Sequence, residues 1–290
     1  MTPCVLPEDL DPSRGTLNAM KVAYQGEPGA YSELAVLEAF GDAETLPVKL
    51  IRHAFDEVDS GNADFGVVPL ENSQAGSINE TYDLLLHDGR LSMVGEAIVA
   101  VDHALMVRPG TKLEDIRWVF SHPQALAQCD EFLTGLGVDR VPVFDTAGAA
   151  RRLAEEGEHD DAAIASVRAA ELNGLEVLAE RIQTHKENFT KFAIIGNGDP
   201  GLGAPDKTSM VFAVKDRPGS LFACLEPYAR RRLNLTKLES RPRRGAAFEY
   251  VFYMDIESPM NADLEAVIAE MREHSSMLKV LGSYAAWKPA

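Results

Sequence analysis

Five short segments of this 290-residue chain put polar groups where a buried strand is predicted to end or a helix to begin. They read YQGEPGAYSE (24–33), VVPLENSQAGS (67–77), FSHPQALAQCDEFL (120–133), DTAGAARRLAEEG (145–157) and NFTKFAIIG (188–196). In open α/β sheets, ligands bind outside the carboxyl ends of strands. The candidate ligand-binding groups in these segments are hydroxyls, amides, free backbone N–H groups and one ammonium. They suit a small, oxygen-rich anion better than a peptide or a sugar polymer.

Each segment, taken alone, also fits an ordinary structural role. The first fits a turn that places Ser32 in the first turn of a helix, and its free N–H groups could hold an anion. The second fits a solvated loop that contains Glu71 and Asn72. Ser121 and Thr146 are predicted to cap the helices that follow them. A ligand site is therefore predicted only if the fold brings the segments together.

The third segment carries a stripe of amide side chains on one side of its predicted helix. Gln124 and Gln128 lie three and seven positions after Ser121, on the side of the cap. The apolar residues of the same helix lie elsewhere, and they are Leu126, Cys129 and Leu133. The stripe faces either a cleft or solvent. His122, beside Pro123, is interpreted as a helix-start residue rather than as a base.

Composition and missing motifs restrict the class of protein. The chain has no G-x-G-x-x-G after a strand, no P-loop and no H-E-x-x-H, and its histidines are scattered. If the chain is an enzyme, we therefore expect it to work without metal, nucleotide or pyridoxal cofactor. Three cysteines without metal-like spacing favour a reduced, cytoplasmic protein. No apolar run reaches the ~18 residues that would cross a bilayer, and residues 1–20 are interpreted as a loose tail rather than a signal peptide.

Strands and helices alternate through the first part of the chain, which predicts mainly parallel sheets covered by helices. The strands are predicted at 21–25, 47–51, 65–70, 93–100, 104–108, 117–120, 138–143, 162–165 and 175–179. Helices are predicted at 31–40, up to Gly61, and from a capping box at Ser77 to about His87. The segment NFTKFAIIG then returns as one more buried strand.

A Gly-, Pro- and Asp-rich stretch at 197–207 interrupts this pattern and is typical of a linker. Strands at 208–215, 234–241, 247–256 and 278–285 follow, with helices at 219–232 and 262–273. This βαββαβ order is that of a ferredoxin-like fold. Charge also changes here: residues 1–206 hold 15 basic and 35 acidic residues, whereas 207–290 hold 13 and 10. The acidic first part argues against a nucleic-acid partner.

Together, these motifs resemble those of prephenate dehydratases that carry a C-terminal ACT regulatory domain. The motifs are YQGEPGAYSE, GVVPLENSQAGSI, SHPQALAQC, NFTKFAIIG, RPGSLFACL and LNLTKLESRP. The resemblance implies a type II periplasmic-binding-protein-like catalytic domain at 21–200. One lobe would comprise about 21–98 and 184–200, and the other about 99–183. A linker at 201–207 and an ACT domain at 208–290 would complete the chain.

The resemblance also implies a reaction and a set of site residues. Prephenate would lose CO₂ and its ring hydroxyl to give phenylpyruvate, and aromatisation would drive the reaction without a cofactor. The catalytic threonine of the family maps to Thr190. Lys191 stands where the family has arginine. A lysine would bind a carboxylate as a point charge rather than through the two parallel hydrogen bonds of an arginine. The other expected substrate-binding residues are Phe192, Asn72, Ser121, Gln128, Thr146, Glu71 and Ser32, with Glu71 expected to hold the loop.

For the last part of the chain, the resemblance implies an L-phenylalanine effector site at an interface between ACT domains. That interface implies a homodimer or homotetramer without nucleic-acid or membrane partners. The expected effector residues are Gly219, Ser220, Leu221, Asn234, Leu235, Glu239, Ser240, Arg241 and Pro242. Because only about 20 residues precede the first strand, we expect no chorismate mutase domain and hence a monofunctional enzyme.

Two other functions stay open at this stage. One is arogenate dehydratase, which uses the same machinery on the aminated substrate. The other is a non-catalytic amino-acid sensor made of a binding-protein cleft and an ACT module. Thr190 before Phe192, together with Asn72, favours the two enzymes, because a sensor does not need the threonine.

Overall fold

A computed structural model describes residues 20–87, 89–243 and 249–288, which form three sheets covered by helices. The predicted tail therefore lies, except for Met20, outside the described residues. The strands are β1 (Lys21–Gln25), β2 (Glu44–Val48), β3 (Phe65–Asn72), β4 (Gly76–Ser77), β5 (Ser92–Ala100), β6 (Ala104–Val107), β7 (Trp118–Ser121), β8 (Asp139–Pro142), β9 (Asp161–Ala165), β10 (Glu176–Ala179), β11 (Phe189–Gly196), β12 (Lys207–Val214), β13 (Leu235–Pro242), β14 (Tyr250–Ile256) and β15 (Ser275–Tyr284). The helices are α1 (Tyr31–Phe40), α2 (Ile51–Asp59), α3 (Asn79–His87), α4 (Pro123–Gln128), α5 (Asp130–Leu136), α6 (Thr146–Glu156), α7 (Val167–Asn173), α8 (Ser220–Arg230) and α9 (Ala262–His274). None of the described helices is long and apolar enough to cross a membrane.

The first two sheets belong to two lobes that share one topology. The sheet of lobe 1 has the order β2-β1-β3-β11-β5, with β4 paired to β3, and that of lobe 2 has the order β8-β7-β9-β6-β10. In each main order, four strands run parallel to one another and one runs antiparallel, β11 in lobe 1 and β6 in lobe 2. That antiparallel strand is the first one after the chain crosses from the other lobe. The prediction of mainly parallel sheets is therefore confirmed.

Most predicted elements are present, with shifted ends. The predicted strand at 47–51 lies at Glu44–Val48, where β2 pairs with β1 in register from Lys21 to Gln25. The last strand starts at Ser275 instead of 278, because it continues the pairing with β12 beyond the end predicted from its apolar residues. Residues 247 and 248 of the predicted 247–256 strand lie outside the described residues. Helix α3 begins at Asn79, so the predicted capping box at Ser77 is wrong.

The third sheet has the order β13-β14-β12-β15, which is the ferredoxin-like order expected from the βαββαβ pattern. Alternation along β12 sends Met210 and Phe212 to the helices α8 and α9, and Val211 and Ala213 to the core of lobe 1. Each face of this sheet is thereby covered by a different partner, helices on one side and lobe 1 on the other. The C-terminal sheet is thus packed directly on the lobe that carries β3 and β11.

A buried ion cluster and one glycine show how closely this sheet meets lobe 1. Lys207 Nζ lies 2.7 Å from Glu96 Oε2 on β5 and 3.3 Å from Asp255 Oδ2 on β14, with at most 8% of each side chain exposed. Removing one partner of such a cluster leaves a buried charge and costs about 3–5 kcal/mol. A Cβ on Gly282 would come within 1.9 Å of the Met93 carbonyl oxygen, so the contact of β15 with β5 requires glycine there.

Candidate active site

A cleft of about 360 Å³ lies between the two lobes. Its walls come from the carboxyl ends of parallel strands in both sheets and from the starts of the antiparallel strands β6 and β11. The lining residues are Gln25, Gly26, Ala30, Tyr31, Ser32, Pro69, Asn72, Ile78, Val101, His103, His122, Gln124, Ala125, Gln128, Phe144, Asp145, Thr146, Thr190 and Phe192. Four of the polar segments that the sequence analysis singled out, and the start of the returning strand, thus meet at one place.

Thr190 and Asn72 form the centre of the lobe 1 wall. They face each other across the antiparallel pair of β11 and β3, and the Asn72 Nδ2–H donates to Thr190 Oγ1 at 2.9 Å. The Asn72 side chain is fixed at its other end as well, because its Oδ1 accepts from the backbone N–H groups of Gln74 and Ala75 at 3.0 and 2.9 Å. Thr190 Oγ1 therefore acts as an acceptor toward Asn72, which leaves its own O–H free to donate into the cleft.

Hydrogen bonds continue from Asn72 across the cleft floor to lobe 2. Asn72 donates to Asn188 Oδ1 at 2.9 Å, and Asn188 Nδ2 donates to Gln128 Oε1 at 3.0 Å. His103 Nε2 lies 2.8 Å from the same Gln128 oxygen, and its Nδ1 lies 3.1 Å from the Tyr31 hydroxyl. An amide oxygen can only accept, so His103 carries its proton on Nε2. The network gives each member one orientation and ties the two lobes together.

Burial determines the charge of the two histidines that line the cleft. Burial lowers the pKa of His103 below its ordinary value, although the bond to Gln128 opposes this shift. Burial also lowers the pKa of His122, whose Nδ1 accepts from the Gln124 backbone N–H. Both rings are therefore neutral near pH 7, and neither supplies a fixed positive charge to a bound anion.

Helix N-termini supply the favourable field for an anion instead. Helices α1, α4 and α6 all begin with residues that line the cleft. His122 caps α4 and Asp145 caps α6, but α1 begins after Ala30 without any side-chain cap. The free N–H groups of α1 and its positive end therefore point to an anion position beside Ser32.

Asp145 is the one carboxylate among the described residues that line this cleft, and no Lys or Arg accompanies it there. Its Oδ1 accepts from the Gly148 backbone N–H at 2.5 Å and so caps α6. Burial raises the pKa of Asp145 against the opposing effect of that N–H group. In the described part of the chain, no group of three or more His, Cys, Asp or Glu side chains could hold a metal ion.

Two further predicted helix caps are wrong, and one of these errors removes a candidate residue from the cleft. Ser121 ends β7, is fully buried and donates to the Ile164 carbonyl oxygen at 2.6 Å, whereas His122 caps the helix. Ser121 therefore does not line the cleft. Thr146 is the first residue of α6 and follows its cap Asp145, but it does line the cleft. The cap of α4 lies one residue after the predicted one because β7 runs one residue further, and the cap of α6 lies one residue before it because Asp145 accepts from the Gly148 N–H.

The structure does not bring Lys191 and Glu71 into the cleft either. They pair with each other across β11 and β3, one residue along from Thr190 and Asn72. Since side chains alternate along a strand, the cleft face carries Thr190 and Asn72 and the opposite face carries Lys191 and Glu71. The same alternation returns Phe192 to the cleft face, and a register shift after Lys191 places Pro69 opposite it, so that both residues line the cleft. Glu71 instead meets Lys237 of the C-terminal sheet at 2.8 Å.

The residues expected at an effector site lie at two ends of the C-terminal sheet. Gly219, Ser220 and Leu221 start α8, near the end of β12, whereas Asn234 and Leu235 lie at the start of β13. Because β12 and β13 both pair antiparallel with β14, they run in one direction. An eight-residue strand spans about 26 Å, so the two groups do not meet within one chain. Ser240 and Pro242 are exposed near the α8 end, and Glu239 and Arg241 face lobe 1.

Sequence reasoning missed several residues of the cleft network. Asn188 was inside a quoted motif without a role, and Tyr31 lay in the first helical segment. His103 had only one signal, a polar side chain directly before the buried run of β6. The contacts between the two lobes also were not predicted. Gly29 of lobe 1 approaches Ala169 of lobe 2 so closely that a Cβ on Gly29 would lie 2.6 Å from the Ala169 Cα. Arg168 of lobe 2 pairs with Glu33 of lobe 1 at 2.8 Å.

Comparison with known proteins identifies relatives of the whole chain. A family model described as prephenate dehydratase matches residues 22–200. The chain is 43% identical to arogenate dehydratase/prephenate dehydratase 1, chloroplastic, of Arabidopsis thaliana, over 94% of this chain and 74% of that protein. It is 45% identical to arogenate dehydratase 1 of Petunia hybrida, over 95% of this chain and 69% of that protein.

Two solved structures also match over most of the chain. One is the prephenate dehydratase of Arthrobacter aurescens in complex with L-Phe, with a TM-score of 0.81, 32% identity, and coverage of 92% of this chain and 90% of that one. The other, GqqA, is described as a novel type of quorum quenching acylase. Its TM-score is 0.83, with 37% identity over 92% of this chain and 98% of that one.

Proposed function

The chain belongs to the prephenate dehydratase family of carbon–oxygen lyases, and we propose that it converts prephenate to phenylpyruvate, CO₂ and water. The observation that carries this proposal is the hydrogen bond from Asn72 to Thr190. That bond makes the threonine hydroxyl a donor toward the cleft, where the departing ring hydroxyl needs one. The matched family model supports a role in phenylalanine biosynthesis.

In the proposed reaction, the bond from the ring to its carboxylate breaks and its electron pair moves into the ring. The ring becomes aromatic as the C–O bond breaks at the opposite carbon. The oxygen leaves as hydroxide, stabilised by the hydrogen bond from Thr190 and protonated to water by solvent. A donor matched to developing charge contributes about 10²–10³ in rate. The threonine does not need to surrender its proton.

The rest of the cleft orients the substrate. We assign one carboxylate of prephenate to the uncapped N-terminus of α1 beside Ser32. Phe192, Ile78 and Val101 offer apolar surface to the ring, and Gln128 and Asn188 hold Asn72 in place. Holding the substrate in one reactive orientation is the effect that a reaction with its own driving force needs most.

The direct test is turnover by the purified protein. We expect prephenate to be converted to a compound that absorbs as phenylpyruvate, without added metal and in the presence of EDTA. Parallel assays with arogenate measure the second substrate. Absence of turnover on both substrates contradicts the proposal and leaves the sensor as the better description.

Arogenate is a second candidate substrate, and Asp145 favours it. Arogenate carries an ammonium group in place of the keto oxygen of prephenate. The only carboxylate among the described residues of the cleft wall is Asp145, and that wall contains no described Lys or Arg. Two relatives also bear arogenate dehydratase in their names. An ammonium bound beside Asp145 would balance the charge of that partly buried carboxylate.

Acylase activity, in contrast, has no support from the geometry around Thr190. An acyl-transfer nucleophile needs a base within hydrogen-bond reach to take its proton. The described side-chain partner of Thr190 Oγ1 is the amide N–H of Asn72, which is a donor. His103, a possible base, bonds to Gln128 and Tyr31 instead. We therefore do not extend the description of GqqA to this chain.

Feedback regulation by L-phenylalanine is part of the same proposal. We assign 21–200 to the catalytic domain, 201–207 to the linker and 208–290 to an ACT regulatory domain. Since the start of α8 and the start of β13 lie at opposite ends of the sheet, an effector site that uses both needs two chains. This favours a homodimer or a larger homo-oligomer. The cytoplasmic location stays a prediction, and several relatives are chloroplastic by name.

A further inference from the structure

The motif LNLTKLESRP contains a lysine, Lys237, that neither substrate binding nor effector binding accounts for. Its ammonium group lies in the contact between β13 and lobe 1, with only 11% of the side chain exposed. It contacts Glu71 Oε2 at 2.8 Å, Glu239 Oε2 at 2.9 Å and Ser77 Oγ at 3.2 Å. It also lies 5.4 Å from the centre of the Tyr82 ring. A lysine of the C-terminal sheet thus holds groups of the other domain at close range.

The groups it holds belong to the hairpin that carries Asn72. Strands β3 and β4 pair Glu71 with Ser77 and Asn72 with Gly76. Lys237 contacts both members of the first pair, so it fixes both strands of the hairpin at once. Ser77 also donates to Glu239, which closes the cluster. Asn72 is the next residue along the strand, and its side chain points to the other face, toward Thr190.

We propose that Lys237 is a positioning residue for the reaction: through Glu71 and Ser77 it fixes the hairpin that aims the Asn72 amide at Thr190. The inference rests on the proposed function of the cleft. It gives the C-terminal domain a direct part in turnover, one residue away from the active-site asparagine. It also assigns Glu71 a partner outside the cleft, in place of the substrate.

The cluster is built for a charged lysine. Burial alone would lower the pKa of Lys237, but Tyr82, Glu71 and Glu239 together raise it well above its ordinary value. Without the ammonium, Glu71 and Glu239 would be left close together without a cation between them. Their repulsion and renewed hydration would move the hairpin, and Asn72 would move with it. Displacements of about 1 Å far from the reacting atoms can cost about 10² in rate.

The strand that carries Lys237 also carries the predicted effector residues Glu239, Ser240 and Arg241. Glu239 bonds to Lys237 and Ser77, and Arg241 lies 3.7 Å from Asp83 on α3. Arg241 also lies over the rings of Tyr82 and Tyr253. Any shift of β13 therefore reaches the Asn72 hairpin through side chains already in contact. This route couples the two domains through direct contacts.

The experiment compares Lys237→Met, Glu71→Gln and the double variant with the wild type. Lys215→Met is the matched control, because Lys215 lies in the same domain and bonds only to the Glu273 carbonyl oxygen among the described contacts of its side chain. We expect Lys237→Met to lower kcat about ten- to a hundredfold with little change in KM, because the substrate contacts are intact. The double variant should lose no more than the larger single loss, since both changes break one contact.

Hydrogen exchange of the peptide spanning residues 71–77 provides a readout that does not depend on activity. Exchange should rise in Lys237→Met and stay at the wild-type level in Lys215→Met. Unchanged exchange, a kcat within about twofold of the wild type, or additive losses in the double variant would overturn the proposal. If wild-type protein turns over neither substrate, the proposed function fails, and the exchange data alone decide whether Lys237 holds the hairpin. If Lys237→Met does not fold, Glu71→Gln tests the same contact from the other side.

Discussion

The Asn72 amide donates to the Thr190 hydroxyl oxygen at 2.9 Å across two antiparallel strands. The direction of this bond matters more than its length. With Asn72 as the donor, the threonine O–H has no need to bond within the wall and can point at the substrate. Asn188 and Gln128 fix the asparagine in that orientation. The hydroxyl is therefore oriented before the substrate arrives, which is the property that electrostatic catalysis requires.

Two replacements of Thr190 should distinguish the contribution of its hydroxyl to kcat from that of its size. We expect Thr190→Ala to lower kcat about 10²–10³-fold, because the donor to the leaving oxygen is lost. Thr190→Ser keeps the hydroxyl and should retain most of kcat. Steady-state rates of phenylpyruvate formation measure both variants. Near-normal kcat in Thr190→Ala would remove this residue from the mechanism.

Asp145 should decide between the two substrates. Asp145→Asn keeps a good cap for α6 but removes the charge, so the helix start is preserved. We expect kcat/KM for arogenate to fall relative to that for prephenate by about tenfold, the equivalent of one ion pair of ~1.4 kcal/mol. The ratio of the two kcat/KM values is the measurement. A ratio equal to that of the wild type contradicts an ammonium subsite at this carboxylate.

His103 should make stability depend on pH. Its pKa is lowered in the folded state, chiefly by burial, so below the ordinary value of about 6.5 the unfolded chain binds a proton that the folded chain does not. The contribution of His103 to the free energy of unfolding is therefore fully present above that pH and is lost as the pH falls. Urea unfolding from about pH 8 to pH 5 measures the loss.

The matched comparison for that pH dependence is between two histidine variants. His103→Gln should reduce the loss of stability toward low pH, whereas His53→Gln, at an exposed position on α2, should leave it unchanged. Equal pH dependence in both variants would mean that His103 is not the group responsible.

Two variants that change different parts of the proposed effector site should complement each other in mixed oligomers. Gly219→Val and Asn234→Ala change the two separated ends of the C-terminal sheet, and each should weaken inhibition by L-phenylalanine while basal turnover persists. If two chains share each site, mixed oligomers of the two variants contain some sites in which both ends are intact. Inhibition should then return in part on mixing after co-refolding. Ser240→Ala tests a third predicted effector residue. If inhibition does not return on mixing, and L-phenylalanine still inhibits Ser240→Ala fully, the effector site lies elsewhere.

The sequence by itself determined the elements and the general location of the site. Apolar runs of period two and helical stripes of amides follow directly from local geometry, and polar residues at strand ends predict a ligand edge. Thr190, Asn72, Gln128, Thr146, Ser32 and Phe192, which the family resemblance assigned to the site, all line the cleft. The linker and the βαββαβ order were equally local signals.

Only the tertiary structure decided which way individual side chains point and what lies across from them. Lys191 and Glu71 are sequence neighbours of Thr190 and Asn72, yet the pleat turns them to the opposite face, where Glu71 meets Lys237 of the C-terminal sheet. Ser121 was lost from the cleft because its strand runs one residue further than its apolar pattern indicates. His103, Asn188 and Lys237 acquire their roles from partners 25 to 166 positions away in the chain. Such contacts depend on strand order and lobe packing, which no local pattern encodes.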